Sequence, residues 1–253
     1  MKALILAAGE GTRLRPYTLD RPKCLVEVEG ESLLDRQLAV LRSEGVTDIT
    51  LIGGYLSDML KRPGLGLELN PRYAETNMVW TLFCAEHAMQ EDLVLAYGDI
   101  VYSREILHAL LASTADIAVA IDLSWEQYWR ARNENPLEDA ETLLMDEVGR
   151  ISEIGQKPVS FDQIQGQYMG LIKFSPRGIE ILRDSFNRAC ATGSLRGKTV
   201  EKAYMTDLLQ LMIDEGNILS AVKVHGGWVE VDTVSDLNLQ ITRDRLRQIK
   251  LET

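Results

Sequence analysis

The chain has 253 residues, with 27 Lys and Arg against 38 Asp and Glu, a net charge of −11 and 45% hydrophobic content. That length suits one α/β domain with a sizeable core, while the acidic balance argues against nucleic acid as a partner and no apolar stretch reaches membrane-helix length. Cys24, Cys84 and Cys190 are odd in number and lack metal-ligand spacing, which argues against a disulfide framework and for a reducing, cytoplasmic compartment.

The apolar run 3–8 predicts a buried strand of a parallel sheet, too short and too poor in cleavage-site features for a signal peptide. It breaks into Gly9-Glu10-Gly11-Thr12-Arg13-Leu14-Arg15-Pro16, with Pro22-Lys23 following. Gly9 and Gly11 would let the backbone approach a ligand and leave N–H groups aimed at anions, and Arg13 and Lys23 add positive charge. Residues 33–45 have helical spacing, with Leu34, Leu38 and Leu41 on one face, and 49–53 reads as the next strand. A short strand over 67–70, a helix over 76–89 and strands over 93–96 and 117–121 continue a βαβ alternation. Residues 125–141 are dense in aromatics and charge, and 147–155 with 167–174 suggest hairpin-like strands. Residues 228–233 alternate as a strand, and 237–251 form an amphipathic, charged tail.

The glycine loop fits neither of the two commonest phosphate loops. Leu14 stands where a dinucleotide fingerprint needs its third glycine, and no Lys-Ser or Lys-Thr follows Gly11. The ordered set Leu6-Ala7-Ala8-Gly9-x-Gly11-Thr12-Arg13-Leu14-x-Pro16-x-Thr18-x-x-x-Pro22-Lys23-Cys24-Leu25 instead resembles the signature of nucleotidyltransferases that activate phosphorylated sugars and alcohols with NTPs. The resemblance implies a Rossmann-like α/β fold of the nucleotide-diphospho-sugar transferase type: a mixed, mostly parallel sheet, helices on both faces and a small acceptor-binding lobe. Residues 1–122 would form the nucleotide half and 123–253 the acceptor half. It also implies that Leu6, Ala7, Ala8, Gly9, Gly11, Thr12 and Gly98 line the nucleotide, that Arg13 stabilises the leaving pyrophosphate, and that Lys23 acts on the reacting phosphates.

Asp99 follows the apolar run 94–97 and Gly98, so an acid stands at a strand's carboxyl end, where open α/β sheets place ligands. Taken alone it also suits a turn aspartate. Asp232 closes the alternating segment Trp228-Val229-Glu230-Val231-Asp232, similar to the second metal-binding strand of the family. Two carboxylates at separate strand ends can hold one Mg²⁺ between NTP phosphates.

Sugar-activating members carry a Gln and a Gly-Thr-Ala segment after the third strand, and neither is present. Asn70-Pro71-Arg72-Tyr73-Ala74-Glu75-Thr76-Asn77-Met78-Val79-Trp80-Thr81-Leu82 resembles the cytidylyltransferases that activate phosphocholine, aminoethylphosphonate and related small acceptors. Asn77 can read a cytosine edge or cap a helix. The last half of 125–142 is similar to cytidylyltransferases acting on L-glutamine phosphate. Glu138, Asp139 and Glu141 would pair with an ammonium, and Arg130, Arg132 or Lys157 would hold a carboxylate or phosphate, unless the segment is a solvated face. Lys157 lies in Gln156-Lys157-Pro158, similar to a phosphate-holding Glu-Lys-Pro segment and equally suited to a solvated turn.

His87, His108 and His225 are dispersed and read as structural, and Cys24 as packing. An acceptor phosphate needs no general base, being already anionic at neutral pH. The expected activity is Mg²⁺-dependent CMP transfer from CTP to a small phosphorylated or phosphonate acceptor, L-glutamine phosphate leading. A sugar-1-phosphate nucleotidylyltransferase and a non-catalytic nucleotide-binding homologue are the alternatives. Oligomeric state, a homo-oligomer included, stays open.

Overall fold

The computed structural model describes residues 1–252, with side chains described through 249. In chain order it contains β1 (Lys2–Ala7), the short strands β2 (Glu27–Val28) and β3 (Glu31–Ser32), α1 (Leu33–Ser43), β4 (Asp48–Gly53), β5 (Gly66–Leu69), α2 (Met78–Phe83), β6 (Leu93–Tyr97), β7 (Ile100–Tyr102) and α3 (Arg104–Ala112). Then come β8 (Ile117–Asp122), α4 (Trp125–Arg132), β9 (Leu143–Met145), β10 (Ile151–Ile154), β11 (Gln167–Phe174), α5 (Pro176–Thr192), α6 (Met205–Asp214), β12 (Ser220–Val224), β13 (Trp228–Glu230), α7 (Val234–Asn238) and α8 (Gln240–Glu252).

Seven strands make one sheet in the order β12-β8-β11-β6-β1-β4-β5. Every pairing is parallel except those of β11, which runs antiparallel to both β6 and β8. The expected mixed, mostly parallel sheet with helices on both faces is therefore present. Side chains alternate across each strand, so Ala3, Ile5 and Ala7 enter one core and Leu4 and Leu6 the other. The first core also takes apolar residues of α1, α3, α4 and α8, the second those of α2, α5 and α6. Burial on both faces is why β1 reads as an unbroken apolar run.

Several expectations change, among them the strand expected over 228–233, which ends at Glu230 where Val231 N–H turns to Asp99 O. The helix expected over 76–89 stops at Phe83, and Glu86–Ala88 is a single 3-10 turn, because the chain must turn back to enter β6 at Leu93. Residues 147–155 and 167–174 do not pair with each other: β10 pairs with β9, and β11 enters the main sheet. The buried Leu171, Ile172 and Phe174 explain this, since their side chains fill both cores. The tail is also divided, into α7 and α8, by Leu239 in extended conformation, and residues 250–251 of that expectation lie outside the described side chains.

Neighbouring strand ends carry the loops that matter. Gly98 N–H donates to Leu6 O at 2.9 Å, and Val231 N–H donates to Asp99 O at 2.9 Å. β13 pairs antiparallel with β7, setting Glu230 opposite Ile100. The residue after β13 is thereby brought beside the residues that follow β6.

Candidate active site

Gly11 sits in the left-handed region at φ 61°, and a Cβ there would come within 3.0 Å of Lys23 Cβ. A side chain at this point would carry backbone strain and crowd the lysine. Thr18 Oγ1 donates to Gly11 O at 2.8 Å and fixes the turn. Among the described residues, nothing accepts from the N–H groups of residues 9–13, so the loop presents unpaired donors. At Gly98 a Cβ would lie 2.6 Å from Leu6 O, so only glycine lets the chain leave β6 this close to β1. Above these strand ends opens a cavity of about 310 Å³. Leu6, Ala7, Ala8, Gly9, Gly11, Thr12, Asn77 and Gly98 all line it, as do Arg13, Lys23, Asp99 and Asp232.

Four charges meet there. Lys23 Nζ donates to Asp99 Oδ2 and to Asp232 Oδ1, each at 2.6 Å, and Arg13 pairs with the other oxygen of Asp232. Burial works against the ammonium, but the two carboxylates hold its pKa well above the usual lysine range. Asp99 Oδ1 is buried and has no hydrogen-bond partner. An orphaned carboxylate oxygen beside a second carboxylate fits a hard divalent cation. No cluster of three or more His, Cys, Asp or Glu able to hold a metal exists among the described residues, so such a cation would complete its shell with substrate phosphates and water.

A second cavity of about 270 Å³ adjoins the first, and Arg13, Met78, Tyr97 and Asp232 line both. Its walls carry Trp129, Tyr168, Trp228, Asp139, Glu141 and Glu230. Tyr97 and Tyr168 pack edge to face at 5.8 Å. Trp129 Nε1 is buried without a partner. Burial and the nearby Asp207 push the Glu141 carboxyl up to about 7. Two compartments thus meet over one cluster of two acids and two bases, a geometry in which groups from two ligands can be brought together.

Residues 3–151 match the MobA-like NTP transferase domain. Over 254 aligned residues the chain is 39% identical to the CTP:phosphoglutamine cytidylyltransferase of Campylobacter jejuni, covering 96% of this chain and 100% of that protein. The chain belongs to this NTP transferase family. It is also 37% identical over 118 residues to the choline-phosphate cytidylyltransferase of Streptococcus pneumoniae, covering 45% of this chain and 52% of that one. The solved inositol-1-phosphate CTP transferase of T. maritima superposes with a TM-score of 0.75 at 22% identity, covering 98% of this chain and 96% of that one, a likeness of fold.

Within this NTP transferase the expected residues divide by location. Asp139 and Glu141 line the second cavity, whereas Arg130, Glu138 and Lys157 are not among its lining residues. Arg130 is exposed, bonds Glu126 and lies 4.9 Å from the Phe161 ring. Lys157 Nζ donates to the Glu138 carbonyl. Asn77 stands at the start of α2 but makes no side-chain cap; its amide donates to Lys202 O at 2.7 Å. The histidines pair with Glu68, Glu44 and Ser124 away from either cavity, and burial pushes the Cys24 thiol up to about 12, leaving it inert.

Sequence reading did not single out Trp129, Tyr168, Glu230 or the role of Arg132. A signal for α4 existed. Trp125, Tyr128, Trp129 and Arg132 recur at i, i+3, i+4 and i+7, the spacing of one buried helical stripe, and Arg130 lies off it.

Proposed function

We propose that the protein is a Mg²⁺-dependent cytidylyltransferase that transfers CMP from CTP to a small phosphorylated or phosphonate acceptor bearing an amine or amino-acid group, with L-glutamine phosphate the leading candidate. An acceptor oxygen attacks the α-phosphorus of CTP, the bond from that phosphorus to the bridging oxygen breaks, and pyrophosphate leaves. The observation that carries the reading is the junction of the two cavities at Arg13 and Asp232.

The free N–H groups of residues 9–13 are suited to phosphate oxygens. Lys23 and Arg13 supply the positive charge that such phosphates need, released from their carboxylate partners as phosphate enters. Mg²⁺ held by Asp99 and Asp232 would neutralise charge on the reacting phosphates. Positioning and charge neutralisation suffice for this reaction class. Asn77 lines the nucleotide cavity with an amide able to meet a cytosine edge. Asp139 and Glu141 put acid where an acceptor ammonium would sit, among the aromatic walls that suit a cation.

The proposed division into a nucleotide half over 1–122 and an acceptor half over 123–253 is supported by the cavity linings: apart from Asp232 the first is lined from residues 6–99, and the second mostly from 129–232. No helix among the described residues is long and apolar enough to cross a membrane. The free thiols Cys24, Cys84 and Cys190 fit a cytoplasmic enzyme.

Pyrophosphate release, measured for CTP, UTP, ATP and GTP against L-glutamine phosphate, phosphocholine, 2-aminoethylphosphonate and glucose 1-phosphate, tests the reading. CTP with an amino-bearing acceptor should turn over fastest, and only with a divalent cation. Equal use of UTP, or preference for glucose 1-phosphate, would replace it with sugar activation.

A further inference from the structure

Arg132 does not reach the acceptor cavity, yet it is among the most enclosed charges in the protein, its side chain 6% exposed. Its guanidinium is used on every side. Nε and Nη2 donate to Asp236 Oδ1 and Oδ2 at 3.0 and 3.4 Å, and Nη1 donates to Glu230 Oε2 at 2.5 Å. Its faces lie 5.2 Å from the Tyr128 ring and 5.4 Å from the Trp129 ring.

Asp236 passes this constraint on. Its Oδ2 accepts from Asp232 N at 3.0 Å, Thr233 N at 2.8 Å and Thr233 Oγ1 at 3.0 Å. One carboxylate therefore ties Arg132 to the main chain of Asp232. A second tie lies two residues earlier, where Tyr128 OH donates to Glu230 O at 3.0 Å and accepts from Glu230 N at 3.1 Å. Helix α4 thus grips the strand end on both sides of Val231.

A buried arginine between two acids is an expensive way to hold a strand, since well-packed apolar residues often do so at least as well. A planar guanidinium does add fixed direction. It also neutralises Glu230, which would otherwise stand in the cleft wall as an unpaired acid beside the Lys23-paired Asp99 and Asp232.

We propose that Arg132 is a positioning residue: acting through Asp236, and with Tyr128 on the same helix, it holds Asp232 in the orientation that binds the divalent cation. The proposal rests on the metal reading given above. Because Trp129 of the same helix faces the acceptor cavity, the element that feels the acceptor also sets the carboxylate beside the nucleotide.

The test measures Mn²⁺ binding by the paramagnetic resonance of the free ion, without turnover, for enzyme mixed with the unreactive α,β-methylene analogue of CTP. Arg132→Lys keeps the charge but cannot span both acids, and should bind Mn²⁺ roughly 10- to 100-fold more weakly, the usual scale for groups that orient metal ligands. Tyr128→Phe, which removes one hydroxyl and little volume, should weaken it in the same direction and carries the test if Arg132→Lys melts below assay temperature. In both variants kcat should fall with the acceptor KM unchanged, and added Mn²⁺ should restore part of the rate. Unchanged Mn²⁺ affinity in a folded variant overturns the proposal; if the acceptor KM also rises, Arg132 belongs to acceptor binding. Failure of the unmodified enzyme to bind Mn²⁺ with the analogue overturns the metal reading itself, and this proposal with it.

Discussion

Lys23 holds two carboxylates with one nitrogen, so its removal does two things at once. Asp99 and Asp232, both bonded to the same Nζ, would face each other without compensation, and the reacting phosphates would lose their nearest ammonium. Lys23→Ala should lower kcat by about two orders of magnitude, with a smaller change in the KM for CTP, as expected for charge that matters most in the transition state. Asp99→Asn and Asp232→Asn should cost at least as much. Steady-state kinetics over a range of Mg²⁺ concentrations measures all three, and near-normal rates with the fold intact would remove these residues from the mechanism.

Glu141 should give the site a pH dependence if it pairs with the acceptor ammonium as proposed above. Burial and Asp207 raise its carboxyl to about 7, with Asp139 adding to the rise while Thr206 and Lys198 oppose it. The ionised form is the one that can pair with an ammonium, so the acceptor KM should fall as pH rises from 6 to 8. Glu141→Gln should flatten that change while leaving CTP affinity nearly untouched, and it separates the effect from titration of the acceptor's own phosphate. Stability runs the other way. The folded chain keeps a proton that the unfolded chain gives up near the ordinary glutamate value of 4.5, so stability should decline between that pH and about 7 in the parent and less in Glu141→Gln. Urea unfolding across that range reads the difference.

Among the elements, β11 lines the second cavity and abuts Tyr97, which lines both. Its register shifts between Tyr168 and Ile172, and Gly170 lies inside the shift at φ 81°, where a Cβ would come within 2.8 Å of the Tyr97 ring. The kink lets Tyr168 and Met169 face the acceptor cavity while Leu171 to Phe174 pair with β6. Gly170→Ala should destabilise the fold by about 1–3 kcal/mol through backbone strain. It should also lower kcat by displacing Tyr97, which lines both cavities. Denaturant midpoints and turnover, measured together, check the prediction, and unchanged values for both would refute it.

Elements of this kind also show how much was legible. β1 and its loop could be read because a strand buried on both faces is continuous in apolar character and the glycines that follow are local in cause. The partner of β11 could not, since nothing in 167–174 records that β6 and β8 flank it. Helix α5 was overlooked although Ser175-Pro176 and Gly193 mark its two ends, with Ser175 Oγ accepting from Gly178 N–H. At the site, the strand-end positions of Asp99 and Asp232 are readable from local sequence and both line the first cavity, whereas separating Arg130 from Arg132 requires the phase of α4, which leaves Arg130 exposed and buries Arg132.

At the scale of the molecule, both cavities stand on one sheet, with each wall rooted in elements packed against it. Ligands that bridge the walls should therefore stabilise the whole fold by mass action. CTP with Mg²⁺ should raise the melting temperature, and the acceptor should raise it further when the unreactive CTP analogue replaces CTP.

The pairing of Lys23 and Arg13 with Asp99 and Asp232 also governs how CTP arrives. Before phosphate enters, the two cations and two anions cancel, and the surrounding protein carries a net charge of −11. A polyanionic nucleotide is then not drawn in from a distance, since the favourable charge becomes available only on contact. Added salt shortens the reach of charge from about 10 Å at 0.1 M to about 3 Å at 1 M, and here it screens repulsion rather than attraction. At fixed free Mg²⁺, kcat/KM for CTP should stay level or rise as KCl is increased from low to moderate concentration. A steep fall would mean that the open cleft steers its substrate, and that the four charges do not rest in this arrangement.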